Sequence, residues 1–157
     1  MNKPDLLRAI LESLAVELET AVREAKAASD AATDPDSRAE NKYDTRALES
    51  SYLARGQARR VTELQESLRD CQALAAGVLP EGGCARVGSL VTLETPAGAL
   101  TYFLCPAAGG TEIRYAGREV ILITPAAPLG RMLLGKVAGD ALTLRTGRPA
   151  WKVSAVE

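Results

Sequence analysis

The chain contains no histidine in 157 residues, and only one phenylalanine, one tryptophan and four tyrosines. Without an imidazole there is no histidine general base, no nucleophile–histidine pair, no histidine-ligated zinc and no haem with an axial histidine. An ordinary hydrolase is therefore disfavoured. Long apolar runs are missing too: stretches such as Ile121-Leu122-Ile123 fall far short of the roughly 18 residues a membrane span needs. Met1-Asn2-Lys3-Pro4-Asp5 leads directly into a charged periodic segment, without the basic-then-apolar order of a secretory signal, so no membrane partner and a cytoplasmic location are expected. Cys71, Cys84 and Cys105 are odd in number and form no C-x-x-C, which suits small buried hydrophobes in a reducing compartment better than zinc or redox chemistry.

Glycine and proline are also scarce, but in one half only. Residues 1–78 hold just Gly56, Gly77, Pro4 and Pro35, whereas the remaining glycines and prolines fall in 79–157. Such a shift marks a domain boundary. The expected organisation is a helical unit over 1–78, a linker over 79–84 around Leu79-Pro80-Glu81-Gly82-Gly83, and a small domain over 85–157.

In the helical half, Leu7, Leu11, Leu14, Leu18, Ala21, Ala25 and Ala28 recur at alternating steps of four and three, the spacing of a coiled-coil seam. A second seam runs through Ala47, Ser50, Ala54, Gln57, Val61, Leu64, Leu68, Cys71, Ala75 and Val78. Between them, Ser29 to Ser37 supplies turn-favouring residues and the helix-stopping Pro35. So short a connection predicts antiparallel neighbours, with the leucines at the start of the first helix facing Val61 to Val78 and its alanines facing Ala47 to Ala54. A second helix from near Arg38 to Ala76 would be roughly 55–60 Å long, a thin finger. Gly77 suits the position just past its end, and Gly56 inside it either admits a close neighbour or permits a bend.

The second half changes period to short strand-like runs at Val87–Glu94, Ala99–Cys105, Glu119–Thr124, Ala141–Thr146 and Ala150–Val156. Thr95-Pro96-Ala97-Gly98 and Gly147-Arg148-Pro149 read as hairpin turns. Pro128 to Gly135 reads as a short helix, with proline at its start and glycine at its end. Leu129, Met132, Leu133 and Leu134 are core by pattern, which leaves Arg131 and Lys136 as its surface contacts. The expected class is α+β: an N-terminal antiparallel two-helix hairpin followed by a small antiparallel sheet with one short helix.

Charge concentrates at the hairpin tip, over 30–44. Asp30, Asp34, Asp36, Glu40 and Asp44 gather there, with Arg38, Lys42 and Arg46 spaced along one helix face. Two readings fit. Ser37-Arg38-Ala39-Glu40 is a capping box, in which acids near a helix start serve the fold alone. Alternatively, carboxylates on a projection complete a Mg²⁺ site supplied partly by another macromolecule, because Mg²⁺ is commonly held by one or two protein carboxylates plus substrate oxygens and waters.

Two stretches carry a resemblance. Ala39-Glu40-Asn41-Lys42-Tyr43-Asp44-Thr45-Arg46 at the tip, and Pro128-Leu129-Gly130-Arg131-Met132-Leu133-Leu134-Gly135-Lys136-Val137-Ala138-Gly139-Asp140 near the end, together with the hairpin-then-sheet order, resemble the Gre family of bacterial transcript cleavage factors. The second stretch follows that family's S-P-[IL]-[AG]-R-A-L-[IL]-G-K-x-x-G-D pattern, with Ala127 in place of the serine and Met132 in place of the alanine.

The resemblance implies an FKBP-like C-terminal domain that docks at the rim of the RNA polymerase secondary channel, with Arg131 and Lys136 as contacts. It implies that the coil reaches the active centre, where tip acids help hold the polymerase's second Mg²⁺ and stimulate cleavage of backtracked RNA near its 3′ end. Glu40 and Asp36 would then be the metal-holding acids, and Asn41 and Arg38 the contacts to RNA or the active site. The chain itself would be a monomer, not an enzyme, with no tightly bound cofactor. The family's tip pattern is D-x-S-E-N. Here Glu40-Asn41 align with its last two residues, Ala39 stands in the serine place and Ser37 in the aspartate place; Asp36 lies one residue earlier.

Three other readings compete. The first is a channel-binding regulator without cleavage stimulation, motivated by Ser37. The second is a prolyl isomerase, which an FKBP-like fold suggests but which so few aromatics (Tyr102, Phe103, Tyr115 and Trp151 in this half) disfavour. The third is a purely structural coiled coil. Residues 1–78 carry 11 basic and 14 acidic residues, and 79–157 carry 8 and 6. The second half is thus too weakly basic for a DNA-binding footprint but suited to an acidic protein surface.

Overall fold

The computed structural model describes residues 2–33, 46–143 and 150–157. Its elements run α1 (Lys3–Thr33), α2 (Arg46–Ala76), β1 (Leu90–Thr95), β2 (Gly98–Leu104), β3 (Glu112–Tyr115), β4 (Arg118–Ile123), α3 (Pro128–Leu133), β5 (Ala141–Leu142) and β6 (Trp151–Val156). They form two compact units, one of Glu12–Leu68 and one that joins Met1–Leu11 to Arg69–Glu157.

The α1 amide of Asp5 lies 3.4 Å from the Asn2 side-chain oxygen, and the Leu6 amide donates to the Asn2 carbonyl, so Asn2 opens the helix as its cap. The helix continues through Ser29 to Thr33, which the turn-rich composition placed in the loop. There the Thr33 hydroxyl donates back to the Ser29 carbonyl at 2.9 Å, and Ala31 and Ala32 are good helix formers. The α1 seam is as expected: Leu7, Leu14, Ala21 and Ala28 are buried, while Leu11, Leu18 and Ala25 are half-buried.

Within Glu12–Leu68, the α2 seam residues Ala54, Gln57, Val61 and Leu64 are half-buried or buried. Arg60 is ion-paired with Glu17, which fits the antiparallel register set by the two seams. The Gln57 side-chain oxygen is buried without a hydrogen-bond partner among the described residues, a cost a hydrophobe at this seam position would not carry. Of the two expectations for Gly56, the close neighbour is not met: a Cβ placed on it meets nothing within 4 Å. Gly56→Ala is therefore expected to stabilise the chain by about 1 kcal/mol through helix propensity, read as a higher urea midpoint at unchanged m-value.

The other unit is built on a six-stranded sheet of order β3-β4-β2-β1-β6-β5. Thr95 and Gly98 close the β1–β2 hairpin as its turn chemistry predicts, and the Thr95 hydroxyl donates to the Gly98 carbonyl at 2.8 Å. The sheet departs from the all-antiparallel expectation in one pairing: β2 runs parallel to β4, with Thr101 beside Val120 and Leu104 beside Ile123. The connection between them contains β3, a strand absent from the sequence reading, which pairs antiparallel with β4 through the two-residue turn Ala116-Gly117. Both turn residues have positive φ, 50° and 75°, the conformation such hairpins need. Of the expected run Ala141–Thr146, β5 covers Ala141–Leu142, and 144–149, with Gly147-Arg148-Pro149, lie outside the described residues.

One face of this sheet packs Val91, Leu93, Tyr102, Leu104, Ile123, Leu142 and Val153 against Leu133 of α3. Leu90, Phe103, Val120 and Leu122, which alternate with them, are buried as well. Burial of both faces explains why Ile121-Leu122-Ile123 reads as a continuous apolar run instead of an alternating one. Leu6, Ile10 and Cys71 are 0% exposed, beyond what a two-helix seam requires, because these helix ends belong to the sheet unit. The seam itself lapses past Cys71. Ala75 is exposed, Val78 is fully exposed, and Leu74 takes the half-buried position instead.

Candidate functional site

The stretch Pro128–Asp140 divides into residues that hold the backbone and residues that face out. Pro128 occupies the first turn of α3, where its missing N–H and fixed φ cost nothing. Ala127 takes the extended cap conformation (φ −67°, ψ 147°) but makes no side-chain cap hydrogen bond, a direct consequence of alanine at this place. Gly130 is buried because α3 rests on the end of β4: a Cβ there would lie 2.0 Å from the Thr124 carbonyl oxygen.

Leu134 ends the helix, and its amide donates to the Gly130 carbonyl. Gly135 then turns through φ 78°, a left-handed conformation that glycine adopts at little cost. The turn is held by a reciprocal backbone pair, with the Gly135 amide donating to the Ala85 carbonyl and the Ala85 amide to the Lys136 carbonyl, each at 2.7 Å. Asp140 closes the loop. Its carboxylate accepts from the Val137 amide at 3.1 Å and stands 4.0 Å from the Lys136 ammonium, while its backbone carbonyl accepts from the Val153 amide at 2.8 Å. At this distance and exposure the Lys136–Asp140 pair contributes about 0–1 kcal/mol, so Asp140 acts mainly as a turn cap.

Of the two expected surface contacts, Arg131 is exposed and has no ion-pair partner among the described residues. Lys136 is half-exposed and shared with Asp140. The sequence pattern assigned Leu134 to the core, but it is 40% exposed. Only Leu133 of the Leu133-Leu134 pair enters the core, since adjacent helical residues point about 100° apart. Val137, 44% exposed, was missed as a surface residue. Arg131 and Leu134, one turn apart on α3, thus present a cation beside an exposed aliphatic side chain, with Lys136 and Val137 following in the turn. The signal that could have found Leu134 is its place immediately before a left-handed glycine, where the helix has already ended.

Clefts among the described residues border this unit. One of about 710 Å³ lies over β2, β3 and β4 and is lined by Thr92, Thr101, Glu112, Arg118, Glu119 and Ile121 among others, none of them aromatic. Tyr102 and Phe103 are buried instead, and burial pushes the Tyr102 phenol up in pKa. The aromatic-lined pocket of a prolyl isomerase is thus not formed by these residues. Another cleft, about 780 Å³, opens beside Lys3, Leu7, Val78 and Glu157. There the Lys3 ammonium donates to the Pro80 carbonyl, and partial burial holds its pKa below the usual lysine value.

The tip residues Asp36, Arg38, Glu40 and Asn41, with Asp34, Ser37, Lys42 and Asp44, lie outside the described residues. Asp30 is exposed near the end of α1. Among the described residues no three Cys, Asp or Glu side chains gather as a metal site, and no helix is long and apolar enough to cross a membrane.

Fold and site together define an α+β protein in which a helical hairpin precedes a mixed sheet that carries a short, partly cationic surface helix. In a comparison with solved structures, the chain is similar to GreA factor homolog 1 (Gfh1) of Thermus thermophilus at 20% identity, over 98% of this chain and 94% of that one, with a TM-score of 0.35. It is also similar to a structure described as the transcription factor Gfh1, at 24% identity over 95% and 94% of the two chains, and to Thermus aquaticus Gfh1, at 22% identity over 96% and 95%, both with a TM-score of 0.35. No family model and no curated protein matches the chain.

Proposed function

We propose that this chain is a transcription factor of the Gre type that binds RNA polymerase and acts through it, without being an enzyme itself. The observation that carries the reading is the stretch Pro128–Asp140. Gly130, Leu133, Gly135 and Asp140 are spent on holding its backbone, and Arg131 and Leu134 are left facing solvent. In this reading the thirteen-residue stretch that resembles the Gre pattern, with Met132 in place of its alanine, is a platform with a cation and an aliphatic side chain on its outer side. In this reading Arg131 and Lys136 dock at the rim of the secondary channel, and the carboxylates over 30–44 reach the polymerase's own Mg²⁺.

Asp36 and Glu40 are the acids assigned to that metal, because Mg²⁺ is commonly held by one or two protein carboxylates plus waters and substrate oxygens; they would help hold the ion, which would supply Lewis-acid activation of water and of the scissile phosphate. Asn41 and Arg38 are assigned to the RNA or active-site contact. No histidine is needed, since the metal lowers the pKa of the attacking water. The second reading, a channel-binding regulator that does not stimulate cleavage, is favoured by one observation: Ser37 occupies the place of the family's aspartate.

Binding of the full chain to purified bacterial RNA polymerase tests the proposal. Submicromolar binding is expected, and Arg131→Glu combined with Lys136→Glu is expected to weaken it at least about tenfold while leaving the melting temperature within a few degrees, because both side chains are outside the core. No binding by the wild-type chain would overturn both readings.

A further inference from the structure

Cys71 lies near the end of α2 and Cys105 directly follows β2. The fold brings their sulfurs to 3.3 Å of each other, with both residues at 0% exposure. We propose that Cys71 and Cys105 are a redox-modification site, oxidised by peroxide to an intramolecular disulfide that ties the end of α2 to the sheet. Spacing along the chain gave no sign of it, since the two residues are 34 positions apart and form no C-x-x-C.

The geometry favours this chemistry in two respects. A disulfide bond is about 2.05 Å long, so the sulfurs need approach by only about 1.3 Å, and the two residues belong to one compact unit, so no large rearrangement is required. The two thiols are also unequal. Either sulfur can donate to the other; with the thiolate on Cys105 the Cys71 S–H donates to it, which holds the Cys105 pKa below that of an ordinary cysteine, while Cys71, keeping its proton, is pushed up. The pair therefore contains a nucleophile and a thiol in contact with it, the arrangement required of an attacking and a resolving cysteine.

Hydrogen peroxide is the oxidant named, because it is small and uncharged and reaches a buried sulfur through local opening that a bulky disulfide does not share. The Cys105 thiol gives up its proton, its thiolate attacks one peroxide oxygen, the O–O bond breaks, the leaving hydroxide takes up that proton as water, and Cys105 sulfenic acid forms. Cys71 sulfur then attacks the Cys105 sulfur, the S–O bond breaks, and the Cys71 proton and the leaving hydroxide combine as water. Two thiols and one peroxide thus give one disulfide and two waters. A dithiol reductant reverses the step by exchange. Cys84, which is exposed, is the internal comparison for a thiol that oxidises without a partner.

The test uses the full reduced chain, treated with graded hydrogen peroxide, then unfolded in an alkylating reagent and digested with trypsin and a glutamyl endopeptidase. Cleavage after Arg69, Glu81, Glu94 and Glu112 places the three cysteines in separate peptides. The expected product is a cross-link between the peptides of Cys71 and Cys105, about 2 Da lighter than their sum, formed equally in Cys84→Ser and removed by dithiothreitol. Oxidised protein should melt roughly 5–10 °C higher than reduced protein, because the bond closes a long loop in the unfolded chain. Cys71→Ser should abolish both changes and leave Cys105 as a sulfenic acid that dimedone captures. Because Cys71→Ser places a hydroxyl in a dry site and need not fold, Cys71→Ala serves as the second variant with the same expected outcome. Recovery of Cys71 and Cys105 as free alkylated thiols at peroxide doses that fully oxidise Cys84 would overturn the proposal. So would their conversion to sulfinic acids without a cross-link.

Discussion

Gly130→Ala is expected to lower stability by about 3 kcal/mol or more. The added Cβ would fall 2.0 Å from the Thr124 carbonyl oxygen and 2.9 Å from its carbonyl carbon. Both are main-chain atoms that cannot rotate away, and the oxygen already accepts from the Ala127 amide, so relief requires α3 to lift off the end of β4. Leu133, 0% exposed and part of the same core cluster as Leu93, Leu104 and Val153, would have to move with it. Against the roughly 5–15 kcal/mol that holds a domain folded, a loss of this size is readily measured as a fall in urea midpoint. A change below about 0.5 kcal/mol would show that α3 rests on β4 less closely than these distances state. Gly56→Ala makes the same chemical change in an open helix and is expected to act with the opposite sign. The contrast separates a glycine required by close approach from one that merely interrupts a helix.

The second large effect belongs to the proposed function. In elongation complexes backtracked on purified polymerase with Mg²⁺, the wild-type chain is expected to accelerate RNA shortening, and Glu40→Ala to return the rate to within a few-fold of polymerase alone, a loss of at least about tenfold. Glu40 matches the glutamate of the family's tip pattern, so its removal takes away the carboxylate most directly assigned to the metal. Asp36→Ala should lose less, because Asp36 sits one position before the patterned aspartate. Ser37→Asp, which restores that aspartate, should raise the rate above wild type. If wild type does not shorten RNA but Ser37→Asp does, the chain is a channel-binding regulator whose cleavage function is withheld by one residue. If neither does so while both bind polymerase, the tip acids serve as a helix cap and the metal assignment is wrong.

How much of the site was legible in the sequence varies by residue. Arg131 was legible, because a charged residue between core-spaced apolar positions on a short helix must face water, and it does. Leu134 was not, because a helix-period reading carries apolar residues inward until the helix ends, and the end is set by Gly135 turning through φ 78° against Ala85. Asp140 was legible as part of a pattern but not as a turn cap, a role that depends on where the Val137 amide points. The Cys71–Cys105 contact left no trace in spacing. It arises because α2 ends beside the strand that Cys105 follows, a relation between segments remote in the chain.

The same division holds for the fold. By itself the sequence determined the two seams, the composition change near residue 78, the Thr95–Gly98 hairpin and the proline-started helix at Pro128, because each depends on side-chain period or turn chemistry within a few residues. Tertiary structure alone decided that β2 pairs parallel with β4, that a four-residue β3 completes the hairpin at Ala116-Gly117, and that Val78 leaves the seam its spacing assigned to it. These depend on which distant segments bury one another. A strand of four residues or a seam position at a helix end has too few local contacts to choose its environment, and the burial of the whole sheet chooses it instead.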